Sequence, residues 1–366
     1  MNMQIEIELN KMILAITNTI REKHPELVKH LNEMPITVPY VENPDVIVKT
    51  LTSYYDSLVT LVNDCKVNHQ ATGLEQQQKN LSITEIATMK LNNVYQNLFI
   101  ELNNFIISYN DTGEGSMPII FLHGYPFDKT MWHAQLDYLK SSHRVIACDI
   151  RGFGTSTDEE SLLSIDLFAE DLRCFMDKLN IKKAVLCGLS MGGYITLNAV
   201  KRFPERFEAL ILCDTQCIAD SNEVKEKRYK TIEQIKLDGV ATFNEAFIKS
   251  VFHTDSLTNR KELVETLRSV VCANTPTIMM AGLTALAERT ESCSSLESIR
   301  IPTLIICGSE DVLTPVAQSE FMHKHIKGSI LKIIENAGHV SNLEHPDEFN
   351  MYLLAFLNKL LLSQEI

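Results

Sequence analysis

The chain has 366 residues, of which 45% are hydrophobic and 22% charged, and a formal net charge of -13. That size and balance fit one large globular domain with an appendage, and the acidity argues against nucleic acid or an anionic membrane as a partner. The nine cysteines are scattered singly without a CxxC pair, and Cys213 and Cys217 stand at CxxxC spacing with no histidine or second pair nearby. They are expected to be structural thiols of a reducing compartment rather than zinc ligands or disulfides. The opening "MNMQIEIELNK" carries acids where a signal peptide would be basic, and no apolar run reaches membrane-spanning length, so the expected location is cytoplasmic with no membrane partner.

In chain order, the first segment has a helical period. Leu9, Met12, Ile13, Ile16 and Ile20 recur at three- and four-residue steps, and Asn43 and Pro44 open a second stripe of Ile47, Leu51, Tyr54, Leu58 and Leu61. Residues 1–66 are expected to form a helical module without chemistry of its own, one that docks on the rest of the chain or makes a homo-oligomer. The polar, glutamine-rich stretch 67–90 is expected to be a linker, followed by the main domain at 91–366.

Within that domain, short β-rich runs alternate with amphipathic stretches, the pattern of βαβ units around a parallel sheet. "LFIEL" and "FIISYN" predict a leading hairpin, and "PIIFLH", "RVIACDI", "KAVLCG", "EALILCD", "PTLIICG" and "ILKIIE" predict strands buried on both faces. Helices are expected at 130–140, 164–179, 191–202, 316–325 and 345–361. Residues 218–298 break the rhythm with several helical segments and no clear strand, as a helical insertion between two strands would.

The chemistry gathers at the strand ends. "AVLCGLSMGGYITL" holds Ser190 in a G-x-S-x-G turn between a strand and a helix. Gly188 and Gly192 leave the clearance such a turn needs, and Met191 offers a free amide at the helix N-terminus. A serine hydroxyl needs a base, itself oriented by a carboxylate. Glu310 and Asp311 follow the strand "PTLIICG", and His339 follows the next strand in "NAGHVSNLEHP". In "FLHGYPFDKTMW", Gly124 lets the chain turn so that the Tyr125 amide can join Met191 in an oxyanion hole, and His123 is expected to brace the loop. Phe127 and Trp132 are candidate pocket walls, Trp132 having the alternative reading of a buried anchor. Asp149 and Arg151 in "CDIRGFGTS" are read as holding loops near the site.

Taken together, "HGYP", "DIRGFGTS", "GLSMGGY", "GSEDVLTP" and "NAGHVSNLEHP" resemble the α/β-hydrolase superfamily over roughly residues 98–362, in the style of 3-oxoadipate enol-lactonase-like and small carboxylesterase or non-haem peroxidase-like members. The resemblance implies an α/β fold with a mostly parallel eight-stranded sheet flanked by helices and a helical cap at 218–298. It makes Ser190 the nucleophile, Asp311 the acid and His339 the base, with oxyanion amides at Tyr125 and Met191 and neither metal nor organic cofactor. Epoxide hydrolases and haloalkane dehalogenases carry aspartate where this chain has Ser190. The implied substrate is a small ester or lactone. The same triad also serves C–C bond hydrolysis, thioester cleavage and perhydrolysis, and a non-catalytic receptor or scaffold is disfavoured because all three triad residues are present. An enol-lactone carries a carboxylate, which would call for a cation from among Lys225, Lys227, Arg228, Lys230, Lys249 and Arg289.

Overall fold

The apolar runs become one eight-stranded sheet in the computed structural model, which describes residues 97–364 apart from 103–104, 114, 116 and 159–161. The helical module expected at 1–66 and the linker expected at 67–90 lie outside the described residues. The strands are β1 (Leu98–Leu102), β2 (Phe105–Asp111), β3 (Ile119–Leu122), β4 (Val145–Cys148), β5 (Ala184–Leu189), β6 (Phe207–Cys213), β7 (Thr303–Gly308) and β8 (Ile330–Ile334). Their order is β1-β2-β4-β3-β5-β6-β7-β8, antiparallel between β1 and β2 and between β2 and β4, parallel elsewhere. Every residue of β3, β4, β5 and β7 is buried, whereas the edge strand β1 alternates. A strand covered on both faces has no solvated side to mark with polar residues.

The helices outside the insertion are α1 (His133–Leu139), α2 (Ile165–Lys178), α3 (Met191–Arg202), α9 (Val316–His325), α10 (Ser341–Glu344) and α11 (Pro346–Gln364). In α2, Ser164 caps the first turn by accepting from the Leu167 amide, and Ile165, Phe168, Ala169, Leu172, Phe175 and Met176 form the buried stripe. The helix expected at 130–140 is two elements, a 3-10 turn at Lys129–Trp132 followed by α1. The Asp128 carboxylate caps that turn by accepting from Thr130, and Lys129 is drawn into the core by Asp149. Between β6 and β7 lie α4 (Asn222–Asp238), α5 (Ala241–Val251), α6 (Thr254–Asn259), α7 (Lys261–Cys272) and α8 (Pro276–Glu288), a run without a strand. In α7, Val264, Leu267 and Val271 recur at the steps that bury one face.

The structure corrects the reading of the cysteines. Cys217, four residues after β6, and Cys293, which follows α8, form a disulfide. Their α-carbons lie 4.9 Å apart, and beside the bridge the Ser292 amide donates to the Cys217 carbonyl at 2.8 Å. Cysteine usage therefore no longer argues for a reducing compartment. Cys148, Cys174, Cys187, Cys213, Cys272 and Cys307 are free. Burial, reinforced by neighbouring carboxylates, pushes the thiols of Cys148 and Cys307 up to about 12. No single helix among the described residues is long and apolar enough to cross a membrane.

The bridge closes a loop with a sequence separation of 76, so the unfolded chain loses considerable freedom by it. Reduction, or the Cys217→Ser, Cys293→Ser pair, is expected to lower stability by about 4 kcal/mol. Thermal unfolding with and without a thiol reductant measures this.

Candidate active site

Ser190 sits where β5 runs into α3, in a backbone conformation with φ +54° and ψ -113°. A residue with a side chain costs about 1–3 kcal/mol to hold in so sparsely populated a region, and surrounding contacts must over-determine it. They do so here. The Ser190 amide donates to the Cys213 carbonyl at 3.0 Å, and its own carbonyl accepts from Tyr194 N–H and from the Thr215 hydroxyl, at 3.1 and 2.8 Å. A Cβ on Gly192 would lie 2.3 Å from the Leu122 carbonyl oxygen, and one on Gly193 would lie 2.3 Å from the Thr215 hydroxyl. The turn therefore closes only with glycine at both positions, Gly192 admitting β3 and Gly193 admitting the threonine that holds Ser190. Gly188, one turn earlier, faces the Gly192 carbonyl.

The loop after β3 lies against this turn, because a Cβ on Gly124 would come 3.2 Å from that of Ser190. Next in the chain is Tyr125, joined to Pro126 by a cis peptide. Its side chain reaches into the cap, donating from the hydroxyl to the Met279 carbonyl at 2.9 Å and packing its ring near Phe153, Phe243 and Phe247. Burial pushes the phenol far above its ordinary range, so it remains a donor. Phe127, fully buried, stands 5.7 Å from Phe247, itself stacked with Phe243. Met191 opens α3, and an amide at that position has no acceptor within its own helix.

At the ends of β7 and β8 the structure brings Asp311 and His339 together. His339 Nδ1 lies 2.8 Å from Asp311 Oδ2, both residues being at most 4% exposed. Asp311 Oδ1 accepts from the Leu313 and Thr314 amides, and Oδ2 also accepts from the Thr314 hydroxyl at 2.6 Å. Burial alone would raise the carboxyl. The positive imidazole and these donors outweigh it and hold Asp311 below its usual range. Burial likewise works against the imidazolium, but the charge of Asp311 and the hydrogen bond to it prevail, and His339 is raised above 6.5. The neighbouring Glu310 is not the histidine's partner.

The histidine loop is fastened to the cap. The His339 amide donates to the Val251 carbonyl at 2.8 Å, while Glu344 accepts from the Gly338 and His253 amides at 2.6 and 2.9 Å.

A model of the alpha/beta hydrolase fold matches residues 117–346. The chain belongs to the α/β-hydrolase family. It is 29% identical over 254 residues to 3-oxoadipate enol-lactonase 2 of Acinetobacter baylyi, an alignment covering 69% of this chain and 93% of the relative. Among solved structures, it resembles a thermophilic esterase from Thermogutta terrifontis with a TM-score of 0.69 and 31% identity, over 72% of this chain and 99% of that one. It also resembles the enol-lactonase of Burkholderia xenovorans LB400 with a TM-score of 0.67 and 25% identity, over 71% and 100%.

Two of the sequence-derived site candidates in this α/β-hydrolase sit deeper in the core than a pocket wall would. Trp132 is fully buried with Phe121 of β3 and Phe349 of α11 as its ring neighbours, so of its two readings the buried anchor fits. His123 is also wholly buried. Its Nδ1 donates to the Gly124 carbonyl and its Nε2 accepts from Ile150 N–H, each at 2.9 Å, so it ties the β3 and β4 loops as a neutral ring. Burial lowers its pKa in keeping with that neutrality. Asp149 gathers Lys129 and Thr155, and Arg151 pairs with Asp171 through two bonds of 2.6 and 2.7 Å. Of the cap cations, Arg289 and Arg228 both engage Asp220, while Lys227, Lys230 and Lys249 are exposed and Lys225 half-buried.

Sequence reasoning missed four residues that hold the site: Asp214, Thr215, Thr314 and Glu344. The only signal for the first two was their place at the end of the run "EALILCD" and just after it, at the same end of the sheet as Gly188 and Gly308.

Because a Cβ on Gly192 meets backbone, which cannot rotate aside, Gly192→Ala is expected to destabilise the fold by at least about 2 kcal/mol. Urea unfolding of the variant against the parent chain checks it.

Proposed function

We propose that this chain is a serine hydrolase that cleaves small esters or lactones through an acyl-enzyme, with Ser190 as nucleophile, His339 as general base and Asp311 as its orienting acid. The observation that carries this reading is the buried 2.8 Å contact between His339 Nδ1 and Asp311 Oδ2. With Nδ1–H given to the carboxylate, the neutral ring keeps its lone pair on Nε2, the tautomer a general base requires.

Ser190 Oγ attacks the substrate carbonyl carbon while His339 Nε2 takes the hydroxyl proton. Negative charge then collects on the former carbonyl oxygen, where the Tyr125 and Met191 amides are its donors. The imidazolium returns its proton to the leaving oxygen as the C–O bond breaks. Water attacks the acyl-enzyme in the same way, with His339 again as base. Asp311 stays ionised throughout, and its charge stabilises the imidazolium. In a lactone the leaving alcohol stays tethered to the acyl group. The aromatic group of Tyr125, Phe127, Phe243 and Phe247 gives the acyl side an apolar wall. The reading is supported by the similarity to an esterase and to enol-lactonases, which cut ester bonds in open and cyclic form.

Ser190→Ala is expected to lower kcat for p-nitrophenyl acetate by at least about 10³-fold and to abolish labelling by a fluorophosphonate probe. Retained turnover in that variant removes the reading.

The base must be neutral to act, and its pKa in the fold is raised above 6.5. The profile of kcat/KM against pH is therefore expected to rise with a midpoint above 6.5, and a midpoint clearly below that value contradicts the assignment of His339.

A further inference from the structure

We propose that Asp214 is a positioning residue: one buried carboxyl, at the end of β6, that locks the acid-bearing loop and the base-bearing loop to the strand segment gripping Ser190. Three sets of bonds meet there. One carboxyl oxygen, Oδ1, accepts from the Gly308 amide at 2.8 Å, three residues before Asp311. The other, Oδ2, lies 2.5 Å from the Ser341 hydroxyl, two residues after His339. On either side of Asp214, the Cys213 carbonyl and the Thr215 hydroxyl hold the backbone of Ser190 at both its N–H and its C=O. The segment 213–215 thus reaches every member of the triad while belonging to none of them.

The geometry is costly and specific. Asp214 has φ +42°, a left-handed conformation that a residue with a side chain rarely adopts, and it is completely shielded from solvent. Its amide donates to the Ile306 carbonyl of β7 at 2.9 Å, so the residue is pinned from both its backbone and its side chain. The titratable groups around it are Asp311 and His339 on the two loops, Cys307 on β7 and Cys213 on its own strand. Both thiols are pushed up by burial and carry no charge at neutral pH. Burial first, and then the charge of Asp311, raise Asp214 to about 8. In the structure the Ser341 hydroxyl donates to Oδ2 while Oδ1 accepts from the Gly308 amide. Ionisation of Asp214 places a second negative charge beside His339, which holds the imidazole proton more tightly.

The effect on turnover rests on the serine-hydrolase reading, so the test has two readouts. One is kcat and KM for p-nitrophenyl acetate across pH. The other is NMR titration of the His339 ring in the resting protein, which needs no substrate. Asp214→Ala is expected to lower kcat by about 10- to 100-fold with KM changing less than about threefold, since displaced catalytic groups lose rate rather than affinity. Asp214→Asn keeps an acceptor for Gly308 and gives the Ser341 hydroxyl an N–H to accept in place of the oxygen it donates to. It is expected to recover about tenfold of that loss and to reduce the coupled titration of Asp214 and His339 to a single His339 step, without the ionisation near pH 8. Where Asp214→Ala does not fold, Ser341→Ala removes only the contact to the base-bearing loop and is expected to lower kcat by about tenfold. A parent protein without turnover, but with a His339 titration that Asp214→Asn moves, ends the hydrolase reading and supports the coupling. A kcat and a His339 pKa equal to those of the parent in the folded variants overturn the role of Asp214.

Discussion

A carboxylate and an imidazole can be buried together only if each remaining polar atom around them has a partner, and that requirement organises this molecule. The desolvation of Asp311 and His339 is offset by their mutual attraction and by the Leu313 and Thr314 donors. Those donors exist because the chain turns sharply after β7. The imidazole arrives because the chain turns again after β8, one strand further along the sheet. The parallel register of β5, β6, β7 and β8 then decides which loops can meet, and it puts the ends of these strands on one rim.

Much of this could be read from the sequence, and for a physical reason. Parallel strands covered on both faces must be apolar along their whole length, so β3, β4, β5 and β7 appear as unbroken β-branched runs. The serine turn tolerates no side chains at its points of closest approach, so it announces itself through Gly188 and Gly192. Met191–Arg202 and Val316–His325 begin and end where the sequence places them, each with a turn on one side and a loop on the other.

What escaped the sequence depends on contacts between distant segments. Asp214 follows its strand as any loop aspartate might, and nothing local says that Gly308 and Ser341 will converge on it. Cys217 and Cys293 are read as unrelated thiols because a sequence separation of 76 hides their meeting. Trp132 stays open between a pocket wall and a buried anchor until the 3-10 turn capped by Asp128 is seen to set its ring beside Phe121 and Phe349. In each case the residue type is uninformative and the partner is decisive.

The cap is part of what supports His339 as well as a cover over the sheet. The carbonyl of Val251, at the end of α5, receives the amide of His339, and Glu344 bonds the chain on both sides of that contact. Residues 251–253 therefore belong with the histidine loop even though they lie inside the insertion. A cap taken from a relative can be exchanged as a unit only if its join respects that contact. A displacement of Val251 therefore reaches the backbone that carries the imidazole through a single hydrogen bond.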